Sequence, residues 1–261
     1  MIFRFTFLII LLSLMAGACK KKSKPEEQAT TPLIVTPGEN TSHPTLMINV
    51  PVDADGVFIA SIIPHKFPYG NIGNLGNASA FIYSSPNEHT YIDGGVVVVN
   101  DTVIPRLSSG SYYFYGKPIS GKVISGIDID SASVWNIAGS NVTGVPSFSF
   151  SFVGMPTPVS AGPDKTSKSH PYELFFSPCS GADSIVVVLG GDSSTVKKTV
   201  VAGAQSVFIT TDEVAGVRRQ HPTTLASLSV TAYKMSSLAI AGKKYYFINS
   251  ITTTITVYIG D

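Results

Sequence analysis

The sequence predicts an all-β protein built as two tandem antiparallel β-sandwich domains, 45–155 and 156–261. Three observations lead there. The chain is rich in Val, Ile, Thr, Tyr and Phe, residues that suit a pleated, half-buried surface. From Leu46 onward, short apolar runs alternate with turn residues. Between the two series lies Gly154 to Lys168, which holds Pro156, Pro158, Gly162 and Pro163 and shows no periodicity, as expected of a boundary.

The first nineteen residues are of another kind. Arg4 supplies a positive start, and Phe5 to Leu14 are apolar apart from Thr6 and Ser13. That run is shorter than the roughly 20 apolar residues a membrane-spanning helix needs. Small residues follow, ending in Ala16-Gly17-Ala18-Cys19, as at a signal-peptide cleavage site. This segment resembles the signal and lipobox of bacterial lipoproteins, although Ala16 stands where that motif usually has Leu. The resemblance implies removal of 1–18, acylation of Cys19, and a chain lipid-anchored to the outer membrane. Whether it faces the periplasm or the cell surface stays open. Several acyl chains on one residue anchor stably, where one is marginal.

Residues 19–44 read as a flexible tether. They hold many Lys, Glu, Thr and Pro, with Leu33-Ile34-Val35 their only apolar cluster. Strands are then expected at Leu46–Val50, Val57–Ile63, Ala78–Tyr83, Gly95–Val99, Ser111–Tyr115, Ala132–Ile137 and Ser147–Val153. The last alternates strictly, placing Phe148, Phe150 and Phe152 on one buried face. Beyond the boundary, strands are expected at Tyr172–Phe176, Ser184–Leu189, Thr195–Val201, Gln205–Thr210, Leu225–Lys234, Lys243–Asn249 and Thr252–Ile259. Thr210 or Thr211 is placed to cap a short helical turn, with Asp212 and Glu213 near its N-terminus. This second series resembles an immunoglobulin-like or fibronectin-III-like sandwich, without the Cys…Trp…Cys signature of antibody domains. The alternative architecture is one continuous sandwich or jelly roll.

Composition narrows function. Charged residues are 13% of the chain and the net charge is +1, with no basic stripe of the kind nucleic-acid binding requires. Two cysteines are present; with Cys19 acylated, Cys179 is left without an intramolecular partner and reads as a half-buried, inert thiol. His43, His65, His89, His170 and His221 have no metal-ligand spacing, and no nucleophile elbow occurs, so no cofactor or metal site and no catalytic residue is assigned.

Several motifs carry weaker signals. Asp53-Ala54-Asp55-Gly56 has the opening spacing of a calcium loop, but the closing position falls on Pro64, so a turn is expected. Asp128 and Asp130 stand two apart on one strand face, about 7 Å apart; paired carboxylates can hydrolyse glycosides, and the commoner reading is two solvated carboxylates at an edge. Gly70 to Asn77 repeats Gly every third residue, each followed by Asn. As a loop beside Tyr69, it offers Tyr69, Asn71, Asn74 and Asn77 as a glycan-binding set; the plainer reading is a long connection. Tyr112 and Phe114 share one strand face, and Tyr113 and Tyr115 the other. Trp135 is expected in the core. Thr102, Ser131 and Ser184 each follow Asp and precede an aliphatic residue, a pattern resembling O-glycosylation sites of some Gram-negative envelope proteins. Such a site implies an exposed hydroxyl.

The function these features favour is a non-catalytic, membrane-anchored envelope lipoprotein that binds a protein or glycan. The alternatives are a structural fibre or pilus-type subunit assembled by strand addition, and a glycan hydrolase.

Overall fold

In the computed structural model, residues 50–66, 72–116, 118–119, 122–123, 127–129, 131–191, 194–217 and 225–260 are described. Residues 1–18, Cys19, the tether and all of the expected first strand but Val50 lie outside them. The described chain is all-β, with one short helix, Thr211–Gly216. Among the described residues no helix is long and apolar enough to cross a membrane.

The strands are β1 (Gly56–Lys66), β2 (Ile72–Ile82), β3 (Val97–Val99), β4 (Thr102–Ile104), β5 (Tyr112–Phe114), β6 (Pro118–Ile119), β7 (Lys122–Val123), β8 (Ala132–Ile137) and β9 (Phe148–Val153). They continue with β10 (Ala161–Gly162), β11 (Lys165–Ser167), β12 (Tyr172–Phe176), β13 (Ser184–Gly190), β14 (Thr195–Val201), β15 (Ser206–Ile209), β16 (Leu225–Ile240) and β17 (Lys243–Gly260). A large eight-stranded sheet runs β14-β13-β16-β17-β1-β2-β5, with β11 also paired to β17. A four-stranded sheet runs β4-β3-β8-β9, a three-stranded sheet runs β10-β12-β15, and β6 pairs with β7.

This topology corrects two expectations. The large sheet takes strands from both sides of the 155/156 division, so 45–155 and 156–261 do not separate into independent sandwiches. Nor is it purely antiparallel. β1 lies parallel to β17, from Gly56 opposite Tyr245 to Ile62 opposite Ile251, and β11 is parallel to the far end of β17. The cause lies in β16 and β17. Ala241 and Gly242 take φ of 52° and 75°, the positive pair a two-residue hairpin turn requires. From that turn the two strands stay in register over their whole lengths. The expected break after Asn249 does not occur, because Ser250 and Ile251 are buried and paired with Tyr233 and Ala232. β17 is therefore long enough to hold β1 with one half and β11 with the other.

One face of the large sheet carries Phe58, Ala80, Val187, Leu228, Val230, Tyr245 and Phe247 into a core shared with both smaller sheets. Trp135 and Phe152 enter from the four-stranded sheet, and Leu174, Val207 and Ile209 from the three-stranded one. Phe58 stacks on Phe247 at 5.0 Å and meets Trp135 edge-on at 5.3 Å, as ring quadrupoles favour. The opposite face is buried as well, around Val57, Ile59, Phe81, Val186, Tyr246 and Ile248. This is why Ile185 to Leu189 forms an unbroken apolar run rather than an alternating one.

A buried polar tie joins the layers. Asn249, fully buried, donates from Nδ2 to the carbonyls of Phe152 and Gly154 at 3.1 Å each. Its Oδ1 accepts the Ser133 hydroxyl at 2.6 Å. The helix has the cap expected of it: Thr210 is its N-cap, and Glu213 completes a capping box.

Candidate functional site

The Gly-Asn segment is not a loop from Ile72 onward. Gly73 to Asn77 lie within β2, and Asn74 and Asn77 stand opposite Pro64 and Ser61 of β1. Asn77 is buried: its Nδ2 donates to the Leu75 carbonyl at 3.0 Å and its Oδ1 accepts the Gly116 amide at 3.0 Å. It braces the edge of the sheet and leaves no free amide. Asn74 is exposed, while Tyr69 and Asn71 lie outside the described residues. Gly76 is there for space. A Cβ on it would sit 2.0 Å from the Ile127 carbonyl oxygen, so glycine permits the 127–129 segment to pass close by.

The turn at Asp53 to Gly56 has its carboxylates occupied. Asp53 accepts from the Lys244 ammonium at 2.6 Å and the Tyr246 hydroxyl at 2.7 Å, and Asp55 accepts the Lys244 amide at 2.8 Å. Lys244 first, and Tyr246 next, hold the Asp53 carboxyl below its usual range. The turn thus pins the entry to β1 onto β17. The Cys179 thiol donates to the Thr157 carbonyl at 3.4 Å, and the residue packs partly against the core. Trp135 is fully buried, as expected. Tyr112 and Phe114 face the core, whereas Tyr113 and Tyr115 stack on each other at 6.5 Å on the other side. Among the described residues, no group of three His, Cys, Asp or Glu is placed to hold a metal ion.

The expected carboxylate pair is seen only in part. Ile127 and Ile129 are buried and Asp128 between them is exposed, but the segment is irregular rather than a strand, and Asp130 lies outside the described residues. Of the three hydroxyls in glycosylation-like motifs, Ser131 is exposed. Thr102 and Ser184 are half-buried within β4 and β13.

What the fold does bring together is a concavity on the outer face of the four-stranded sheet. It encloses about 470 Å³ and is lined by Asn100, Asp101, Asp128, Ser131, Ala132, Val134 and Asn136. One wall is the β3–β4 turn. Asn100 and Asp101 take φ of 42° and 61°, a conformation that Asn and Asp tolerate better than bulky residues do. The Asn100 side chain then fixes the opposite wall. Its Nδ2 donates to the carbonyls of Ala132, at 2.9 Å, and Asp128, and its Oδ1 accepts the Val134 amide at 2.7 Å. The backbone amide of Asn100 adds a bond to the Val134 carbonyl at 3.0 Å. Nearly every polar atom of this residue is committed to holding the walls, so the shape is set before any ligand arrives.

The floor is Ala132 and Val134, and the rim is polar. Asn136 accepts the Ser149 hydroxyl through Oδ1 at 2.6 Å, which turns its Nδ2 into the remaining donor. Asp101 and Asp128 contribute carboxylates, and among the described residues no Lys, Arg or His lines the space. Among the described residues the lining contains no nucleophile–base pair. It can accept hydrogen bonds from hydroxyl or amino groups, donate through Asn136 and Ser131, and cover an apolar edge.

Sequence reading found parts of this site without seeing that they meet. Asp101-Thr102-Val103 and Ser131-Ala132 were separate modification motifs, and Asp128 was half of a carboxylate pair. The available signal was Asn100-Asp101 between two short β-branched runs, a turn pair that commits both residues to positive φ.

No protein-family model matches the chain, and no curated protein is significantly similar to it.

Proposed function

We propose that this chain is a non-catalytic envelope lipoprotein, lipid-anchored to the outer membrane through Cys19, whose β-sandwich body binds a protein or glycan partner in the concavity over β8. Residues 19–44 serve as its tether. The reading of the anchor draws on Arg4, the short apolar run and Ala16-Gly17-Ala18-Cys19. The reading of the body draws chiefly on one observation: the Asn100 side chain holds open a concavity with an apolar floor and a rim of carboxylate, amide and hydroxyl groups. Preformed sites of that mixed character suit neutral, hydroxyl-rich or amine-bearing ligands.

Two experiments test the two halves. Cells fed a labelled fatty acid will label the full chain, and Cys19→Ala will not carry the label; equal labelling ends the anchor reading. On a glycan array and in envelope pull-downs, the full chain will retain a ligand that the Asp101→Ala, Asn136→Ala double variant loses by at least tenfold in affinity. Unchanged capture by a folded double variant removes the concavity as the site. Protease shaving of intact cells then assigns the membrane face.

A further inference from the structure

The outer face of the large sheet is buried, yet neither smaller sheet contributes to it. Its cluster takes Ile59 from β1, Phe81 from β2, Val186 and Val188 from β13, and Ile248 from β17. Val186 is 1% exposed and Ile248 0%. Beyond the strands themselves, the described residues that join this cluster are Val50, Ala54, Tyr83 and Tyr91.

Those four do not span the face. Tyr91 roofs one end, stacking on Tyr83 at 5.8 Å and tilting over Phe81 at 5.7 Å. Val186 lies at the other end, because β13 stands four strands from β2, about 19 Å away and beyond the reach of a tyrosine side chain. Val50 enters between them. Asp53 binds the Lys244 ammonium at 2.6 Å and the Tyr246 hydroxyl at 2.7 Å, and the Ala54 amide donates to the Pro51 carbonyl at 3.2 Å. That turn fixes where the chain arrives on the face. The face also carries an unmet polar demand. Ser61, on the same side of β1, is buried, and its hydroxyl has no partner among the described residues. A buried hydroxyl without a partner is costly. Lipid hydrocarbon or a second apolar face gives it no acceptor, whereas a peptide backbone does.

We propose that Leu46–Asn49 covers this face, running on from Val50 in extended form across β17 and β16 to β13. Continuity, pattern and length all name this segment as the occupant. Val50 is already packed into the cluster, so an occupant from elsewhere would have to share the face with the chain that leads to Val50. In Leu46-Met47-Ile48-Asn49-Val50 the residues Leu46, Ile48 and Val50 fall on one side of an extended chain, with Met47 and Asn49 on the other. Burying Val50 therefore turns Ile48 and Leu46 to the sheet as well. From β1 to β13 is three strand spacings, about 14 Å, and four extended residues span about 13 Å. The cover does not depend on the lipid at Cys19.

The test combines hydroxyl-radical footprinting with thermal unfolding of the full chain. In the wild type, Val186 and Ile248 will be protected. In the Leu46→Ser, Ile48→Ser double variant they will label severalfold faster, while Val134 in the concavity labels as before. Leu46→Ala and Ile48→Ala will each lower the melting temperature by about 4 °C or more. Met47→Ala, on the solvent side, will lower it by less than about 2 °C. These single variants decide the matter if the double variant misfolds. The proposal is overturned by fast labelling of Val186 and Ile248 in the wild type, by protection that the double variant retains, or by equal melting shifts at 46, 47 and 48. Protection that grows with concentration, alongside a rising mass in sedimentation, would assign the face to a second copy and overturn it too.

Discussion

Two small sheets cover the same face of the large one, and they are held to it by different means. The four-stranded sheet is keyed. Trp135 meets Phe58, Phe150 stacks on Phe247 at 4.0 Å, and Asn249 reaches across to Ser133, Phe152 and Gly154. The three-stranded sheet rests on apolar packing of Leu174, Val207 and Ile209, and the helix that follows β15 meets the large sheet through the partly exposed Lys198–Glu213 pair at 2.5 Å. Apolar contact is non-directional, whereas a buried amide with three partners is satisfied in one arrangement only. The outer faces differ in step. The keyed sheet carries the concavity, while the other presents Phe175 and Phe208, each 54% exposed. The lesson is that directional contacts lie beneath the surface where shape is specified.

The comparison can be broken most forcefully from inside the aromatic cluster. Phe247→Ala removes a ring that Phe58, Phe148 and Phe150 all touch, and should cost about 3–5 kcal/mol in urea unfolding. A loss below about 1 kcal/mol would show that the cluster does not hold the layers. Asn249→Ala comes next. It orphans the buried Ser133 hydroxyl and frees two carbonyls, for an expected loss of about 1–3 kcal/mol. Amide exchange should quicken in β8 and β9 and stay unchanged in β12 and β15; uniform quickening would refute the keyed arrangement.

Those contrasts also mark how far the sequence can be read. Ala132–Ile137, Tyr172–Phe176 and Thr195–Val201 were legible to the residue, because a period of two, bounded by turn residues, marks a strand and its faces. The helix cap was legible for the same local reason. The order of strands was not. Alternation tells which way Val57 points, but nothing near Val57 records that Tyr246 lies beside it. The segment containing Gly76 was read as a loop because a glycine needed for close approach looks the same in sequence as one needed for a turn. The concavity was hidden because its two walls, at Asn100–Asp101 and at Asp128 and Ser131–Asn136, lie far apart in sequence and are joined through Asn100.

Smaller perturbations sharpen the contrast on the other sheet. Thr210→Ala deletes the cap of the helix that follows β15, and should cost about 1 kcal/mol, with exchange quickened at 211–217 and ligand capture by the concavity unaltered. Loss of capture would mean that the two sheets are coupled. The mildest effect is one of alkali. Burial first, and the nearby Asp164 next, push the Tyr172 hydroxyl up to about 12. A raised value means the folded chain holds that proton more tightly than the unfolded one. Stability is then fully present below pH 10 and lost as pH rises toward 12. The melting temperature should fall over that window, and less steeply in Tyr172→Phe; parallel curves would discard Tyr172 as a source of the fall.

The parallel pairing of β1 with β17 sets the order of synthesis against the order of assembly. β1 and β2 can meet as soon as both exist, but the other flank of β1 waits for Tyr245 to Ile251. Pairings so distant along the chain form slowly. Until the last stretch is made, β1 and β16 both present bare edges of the kind that recruit other chains. A ribosome that stops short of β17 therefore releases an aggregating fragment rather than a smaller working protein.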